Sequence, residues 1–187
     1  MKKIFIALLL MLALGATSFS QVFEKGSQAI NLGLGLGNTF PDNSFYGFRP
    51  SLSASYEYGI VEVPMGSTLT GVVSVGGYLG WAGGTHKYSD DVKYHVTNFY
   101  MAARGNYHFI FHDKLDTYAG IWLGGRISSD SWTGDGEYYD DLDDVSSGFA
   151  GGFYVGARWY FNDNWAAYSE LGYLISFFNI GVTYKIK

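Results

Sequence analysis

The feature that most constrains this chain is an alternation of side-chain character with period two, repeated eight times after Gln21. A strand points successive side chains to opposite faces, so period two marks strands whose two faces meet different surroundings. The first run sets Ile30, Leu32, Leu34 and Leu36 against Asn31, Gly33, Gly35 and Gly37. The others cover residues 46–58, 73–81, 99–109, 119–127, 149–161, 165–173 and 178–186. No window shows a sustained helical period. Eight strands of about ten residues each are therefore expected, the length at which a tilted strand crosses a bilayer.

The connections alternate in length. Short turns are expected at residues 111–114 and at Asn162-Asp163-Asn164, a turn tripeptide. Longer polar segments are expected at residues 38–45, 82–93 and 129–147. Short turns at one end and long loops at the other are the asymmetry of a membrane barrel. Residues 59–66 read as a turn longer than this pattern asks, and residues 174–177 as an outer loop shorter than it asks.

Volume decides which face is outside. One face carries Leu, Val, Ile, Phe, Tyr and Trp; the other is mostly Gly, Ser, Asn and Tyr. The interior of an eight-stranded barrel is just wide enough for side chains to fill it. The aromatic face would overfill that space, so it belongs outside, in lipid. In hydrocarbon the sheet must also close on itself, since each unpaired backbone group costs several kcal/mol. The expected fold is all-β, an eight-stranded antiparallel up-and-down transmembrane β-barrel. Aromatics gather at the ends of the outward stripes as two interfacial girdles. Tyr56, Tyr58, Tyr107, Phe109, Trp159, Phe161, Trp165 and Tyr184 lie by the short turns; Phe48, Trp81, Phe149 and Tyr173 lie by the long loops.

The N-terminus reads as an export leader. Lys2 and Lys3 precede an uncharged apolar run, and Ser18 and Ser20 suit cleavage before Gln21. Residues 1–20 are thus expected to be removed, leaving 21–187 as one barrel domain. The run is shorter than the ~18 residues of a spanning helix.

Composition excludes several classes. There is no Cys among 187 residues, so no disulfide scaffold or thiol-ligated zinc site can form. The net charge is −5, which speaks against nucleic acid. Only 16% of residues are charged. Those within strands, Arg49, Glu57, Arg104, Arg126, Arg158 and Glu170, all fall on the inward parity. They are expected to form an ion-pair network in the lumen. It could serve as a gate or proton path, or as a plug that satisfies charge and fixes register. A continuous aqueous pore is not expected at this size.

No catalytic or metal site is expected, and no cofactor. Residues 129–147 hold seven Asp or Glu and no basic residue. That suits a solvated loop, or one bridged to lipopolysaccharide phosphates by divalent ions. Its spacing is not that of an EF-hand loop. His86, Ser89 and Asp90 have the residue types of a nucleophilic triad but crowd into one loop. His95, His108 and His112 share no face with metal-ligand spacing.

The last strand carries a recognisable pattern. Asn179, Gly181, Tyr184 and Ile186 resemble the assembly signal of bacterial outer-membrane proteins: a polar residue, a Gly, then two hydrophobics one residue apart. Lys187 follows where such proteins usually stop. With residues 151–161 and the turn after them, the chain is similar to the small outer-membrane β-barrel family, porin-like, of the OmpA and OmpX transmembrane-domain type. The resemblance implies membrane insertion by the barrel assembly machinery; residence in the outer membrane among lipid and lipopolysaccharide, as a monomer, is expected. It implies no specific activity, since the fold hosts several, and the chain is not expected to be an enzyme. A structural or surface-interaction role is expected, with a narrow solute channel or carrier as the alternative and a barrel enzyme behind both.

Overall fold

The computed structural model describes residues 22–38, 50–65, 69–87, 92–133 and 147–187. The leader, Arg49, Phe48, Ser89, Asp90 and most of the acidic segment lie outside the described residues. The strands are β1 (Gln28–Asn38), β2 (Ser51–Met65), β3 (Leu69–Lys87), β4 (Lys93–His112), β5 (Leu115–Thr133), β6 (Gly148–Tyr160), β7 (Trp165–Gly172) and β8 (Ser176–Lys185). Each pairs antiparallel with the next. β8 returns to β1, from Ala29 opposite Lys185 to Asn38 opposite Ser176, and closes the barrel.

The two faces divide as the alternation requires. Ile121 is 68% exposed and the next residue, Trp122, only 5%. Leu32, Leu34, Leu79, Met101, Phe153 and Val182 all point outward. No helix among the described residues is long and apolar enough to cross a membrane.

Three expectations about length are corrected. β3, β4 and β5 run to 19, 20 and 19 residues, about twice the expected span. Much of the expected loop at 82–93 is hairpin, with Ala82 opposite Asn98 and Lys87 opposite Lys93. Backbone hydrogen bonding is indifferent to side-chain polarity, so a ladder continues past the apolar band where the hydrophobic signal stops. Beyond Trp81 it adds six residues of β3, about 20 Å at 3.3 Å per residue.

At the other end, residues 59–65 are strand rather than turn. A bulge between Gly59 and Val61 shifts the register, and β2 then continues to Met65 opposite Leu69. One extra residue flips the inside–outside phase, which is why the period-two pattern breaks there. The short turns follow their sequence signals. Asn162 Oδ1 accepts from the amides of Asn164 (3.0 Å) and Trp165 (2.8 Å).

The lumen is filled in layers. Val22 and Phe23, N-terminal to β1, are buried at the short-turn end. Next comes a polar layer. Towards the long-loop end lies an apolar layer that includes Tyr78, Tyr100, Trp122, Leu174 and Ile175. The tight β7–β8 connection folds inward to supply Leu174 and Ile175, and the indole of Trp122 donates to the carbonyl of Tyr173 beneath it.

Candidate functional site

The site is the polar layer, and every strand contributes to it. Inward parity is shared by Asn31 (β1), Ser55 and Glu57 (β2), Ser74 (β3), Arg104, Asn106 and His108 (β4), Asp116 and Tyr118 (β5), Tyr154 and Arg158 (β6), Glu170 (β7) and Thr183 (β8). All are buried.

Two guanidiniums organise the layer. Arg158 Nη2 lies 2.5 Å from Glu57 Oε1, and its Nη1 donates to Asp116 Oδ2 at 3.0 Å. Arg104 Nη2 lies 2.5 Å from Glu170 Oε1 and 3.9 Å from Glu57 Oε1. Its remaining donors reach Tyr154 Oη (2.6 Å) and Ser55 Oγ (3.1 Å). Tyr118 donates to Glu170 at 2.9 Å. Asn31 donates to Ser55 (2.8 Å) and Glu57 (3.2 Å), and accepts from Thr183 at 2.7 Å. Arg104 also lies over the ring of Tyr154 at 4.3 Å, and Arg158 over that of Tyr118 at 4.5 Å. Fork-shaped donors suit this task, because one guanidinium can bind carboxylates from several strands at once.

His108 extends the layer downward. Its Nδ1 is 2.8 Å from Asp116 Oδ1, and its Nε2 is 3.0 Å from Ser74 Oγ. These are the distances of a nucleophilic triad. The surroundings do not suit acyl transfer. Ser74 pairs on both sides, with Gly59 and Asn106, so its backbone serves the ladder rather than an oxyanion hole. Glu57 Oε2 stands 3.6 Å from the same Nε2, where it would repel a developing oxyanion. Phe23 stacks flat on the imidazole at 4.1 Å. The trio works as a tie between β3, β4 and β5.

Four of the expected lumen charges, Glu57, Arg104, Arg158 and Glu170, meet here. Arg126 does not sit in this layer. It is opposite Tyr100, four residues nearer the long loops than Trp122, the residue opposite Arg104, and it is half-buried. Asp116 and His108 are members that the sequence reading missed. His108 had the inward parity but was weighed only as a metal ligand. Asp116 lies three residues before the fifth run of alternation, and continuing that parity would have found it. Among the described residues no three His, Asp or Glu side chains are arranged to hold a metal ion.

The terminal-strand residues have separate places. Asn179 is buried, with Ser176 Oγ donating to its Oδ1 at 3.0 Å. Gly181 lies beneath the ring of Tyr168. Tyr184 is on the lipid face against Trp165, ring centroids 4.9 Å apart. Ile186 donates its amide to the Gln28 carbonyl at 2.8 Å.

No curated protein matches the chain significantly. Among solved structures, it is similar to the crystal structure of Ail, the attachment invasion locus protein of Yersinia pestis. That match has 12% identity and a TM-score of 0.44, covering 87% of this chain and 96% of Ail. The same protein bound to the heparin analogue sucrose octasulfate matches at 11% identity and a TM-score of 0.46, over the same shares. Its backbone structure in a phospholipid bilayer nanodisc matches at 13% and 0.40, covering 87% of this chain and 100% of that one. Residues 6–186 match the sequence model of the outer membrane protein beta-barrel domain, nearly the whole length, and the chain belongs to that family.

Proposed function

We propose that this outer-membrane barrel acts as a solid strut that carries a surface-interaction element at its long-loop end. The observation that carries the reading is the filled lumen. Among the described residues a buried ion layer is overlain by an apolar layer that includes Leu174 and Ile175, an arrangement that speaks against the aqueous route a solute channel needs. The extension of β3, β4 and β5 past the Trp81 level supports the other half, because it holds a paired sheet outside the apolar band. The polar layer is structural on this reading, and the protein is not an enzyme.

The associated partners are outer-membrane lipid and lipopolysaccharide around the apolar belt, and the barrel assembly machinery during insertion. The leader, residues 1–20, is removed before Gln21. N-terminal sequencing of the mature protein tests that cleavage.

Liposome swelling tests the strut. Proteoliposomes are expected to swell no faster than empty vesicles in small sugars or amino acids. Swelling that depends on the protein would replace this reading with the solute channel. Trimming the β3–β4 extension should abolish surface binding and leave the barrel folded.

A further inference from the structure

Val22–Ser27 is a strap across the short-turn mouth. At one end Gly26 donates to the Gly59 carbonyl and Gly59 donates to that of Ser27, both at 2.9 Å. Phe23, 0% exposed, then packs with Ala29 and Val72 and stacks on His108. Val22, 3% exposed, reaches the far wall at Tyr160 and Ala166. The strap thus runs from the β1–β2 side to the β6–β7 side, with the ion layer directly above it.

The wall is shaped to receive it. A Cβ on Gly59 would fall 2.5 Å from the Glu24 carbonyl oxygen and 3.3 Å from the ring of Phe23. Yet the strap is no part of the sheet: ladder pairing begins at Gln28. Residues 22–25 are held by the buried side chains of Val22 and Phe23, the latter stacked on His108 with Arg158 over its ring, by a local turn in which Glu24 N donates to Ser27 Oγ and Ser27 N to the Glu24 carbonyl, both at 3.0 Å, and by a bond from Lys25 N to Glu62 at 3.1 Å. Gly26 has φ +89°, a left-handed conformation that only glycine enters freely, and it stands where a hinge would be. A segment held by side chains and a local turn, outside the backbone ladders, opens at lower free energy than the ladders around it. The apolar layer at the other end is different, since its side chains come from the strands themselves and from the tight β7–β8 connection.

We propose that Val22–Lys25 is a gate hinged at Gly26: it swings away from the short-turn mouth while the barrel stays closed, and its withdrawal admits water and small ions to the polar layer of Ser74, His108, Asp116 and Arg158.

Thiol labelling tests this cleanly, because the native chain has no Cys. Ser74→Cys places a probe in the buried polar layer. The reagent is a small, positively charged methanethiosulfonate, applied to the full chain refolded in detergent micelles. Heat-modifiable gel mobility reports that the barrel remains folded. With the native strap, labelling is expected to be slow and complete, at least about tenfold slower than at Asp163→Cys in the exposed β6–β7 turn, since only open molecules react. Adding Phe23→Ala is expected to speed labelling about tenfold or more in the folded band. If that variant does not fold, Phe23→Leu should give a smaller acceleration in the same direction. Equal rates with and without the Phe23 change would overturn the gate, as would labelling that starts only when the folded band disappears.

Discussion

Arg158 and Glu57 are 101 residues apart in the chain, yet they meet at 2.5 Å across the lumen, both fully buried. Glu57 also takes Asn31 and faces Arg104 and His108, so it is the carboxylate on which the layer converges. Taking charges out of water costs several kcal/mol per ion, and only good geometry with further hydrogen bonds offsets this. The layer is consequently more demanding when broken than its net contribution suggests.

Glu57→Ala should therefore destabilise the refolded barrel by about 3–5 kcal/mol, because it leaves Arg158 buried beside an empty site. Guanidinium titration followed by tryptophan fluorescence measures it. Replacing Glu57 and Arg158 together by apolar residues of similar size should cost clearly less than the two single changes summed. Strict additivity would mean that the pair is not coupled.

Glu170→Ala should be damaging for the same reason, since Arg104 and Tyr118 both depend on that carboxylate. A loss of about 3–5 kcal/mol is expected. Arg126→Ala provides the contrast: half-buried and above the layer, it should cost well under half as much in the same titration.

Gly181 has no room for a side chain. A Cβ there would run into the Leu32 carbonyl oxygen and stand 2.7 Å from the ring of Tyr168. Gly181→Ala should cost about 1–3 kcal/mol, because one of those neighbours is backbone and the wall must shift. Gly125→Ala, with nothing within 4 Å of the new atom, should stay within about 0.5 kcal/mol. Equal effects would mean that packing at the β8–β1 seam is not tight.

Leu32 faces lipid in the middle of β1. Leu32→Arg should destabilise the barrel in lipid vesicles by about 2–4 kcal/mol, whereas Tyr184→Arg near the interface should cost about 0–1 kcal/mol. Reversible unfolding in vesicles reads the difference. An inverted order would mean that the apolar belt is placed wrongly on the strands.

Asn162 ends the β6–β7 turn through two backbone amides. Asn162→Ala should lose about 0.5–1.5 kcal/mol per hydrogen bond. Asn162→Asp, which keeps the acceptor, should lose much less in the same measurement.

The alternation by itself determined the strands, their two faces and the need for closure. A polar–apolar period of two has one stable solution when the apolar side is too bulky for the inside. Parity alone sent Glu57, Arg104, Arg158 and Glu170 inward, since each stands an even number of residues from its inward neighbours. Tertiary structure decided the rest. Which charges meet depends on strand register and stagger, and a parity count carries neither. Asp116 and His108 joined the layer because β4 and β5 pair at that depth, while Arg126 was lifted out of it. The continuation of β2 was hidden by one bulged residue, and that of β3 to β5 by polar side chains, which backbone pairing ignores. The strap was invisible for a third reason: Val22 and Phe23 belong to no periodic run, and their burial comes only from the cavity that the closed barrel leaves at its mouth.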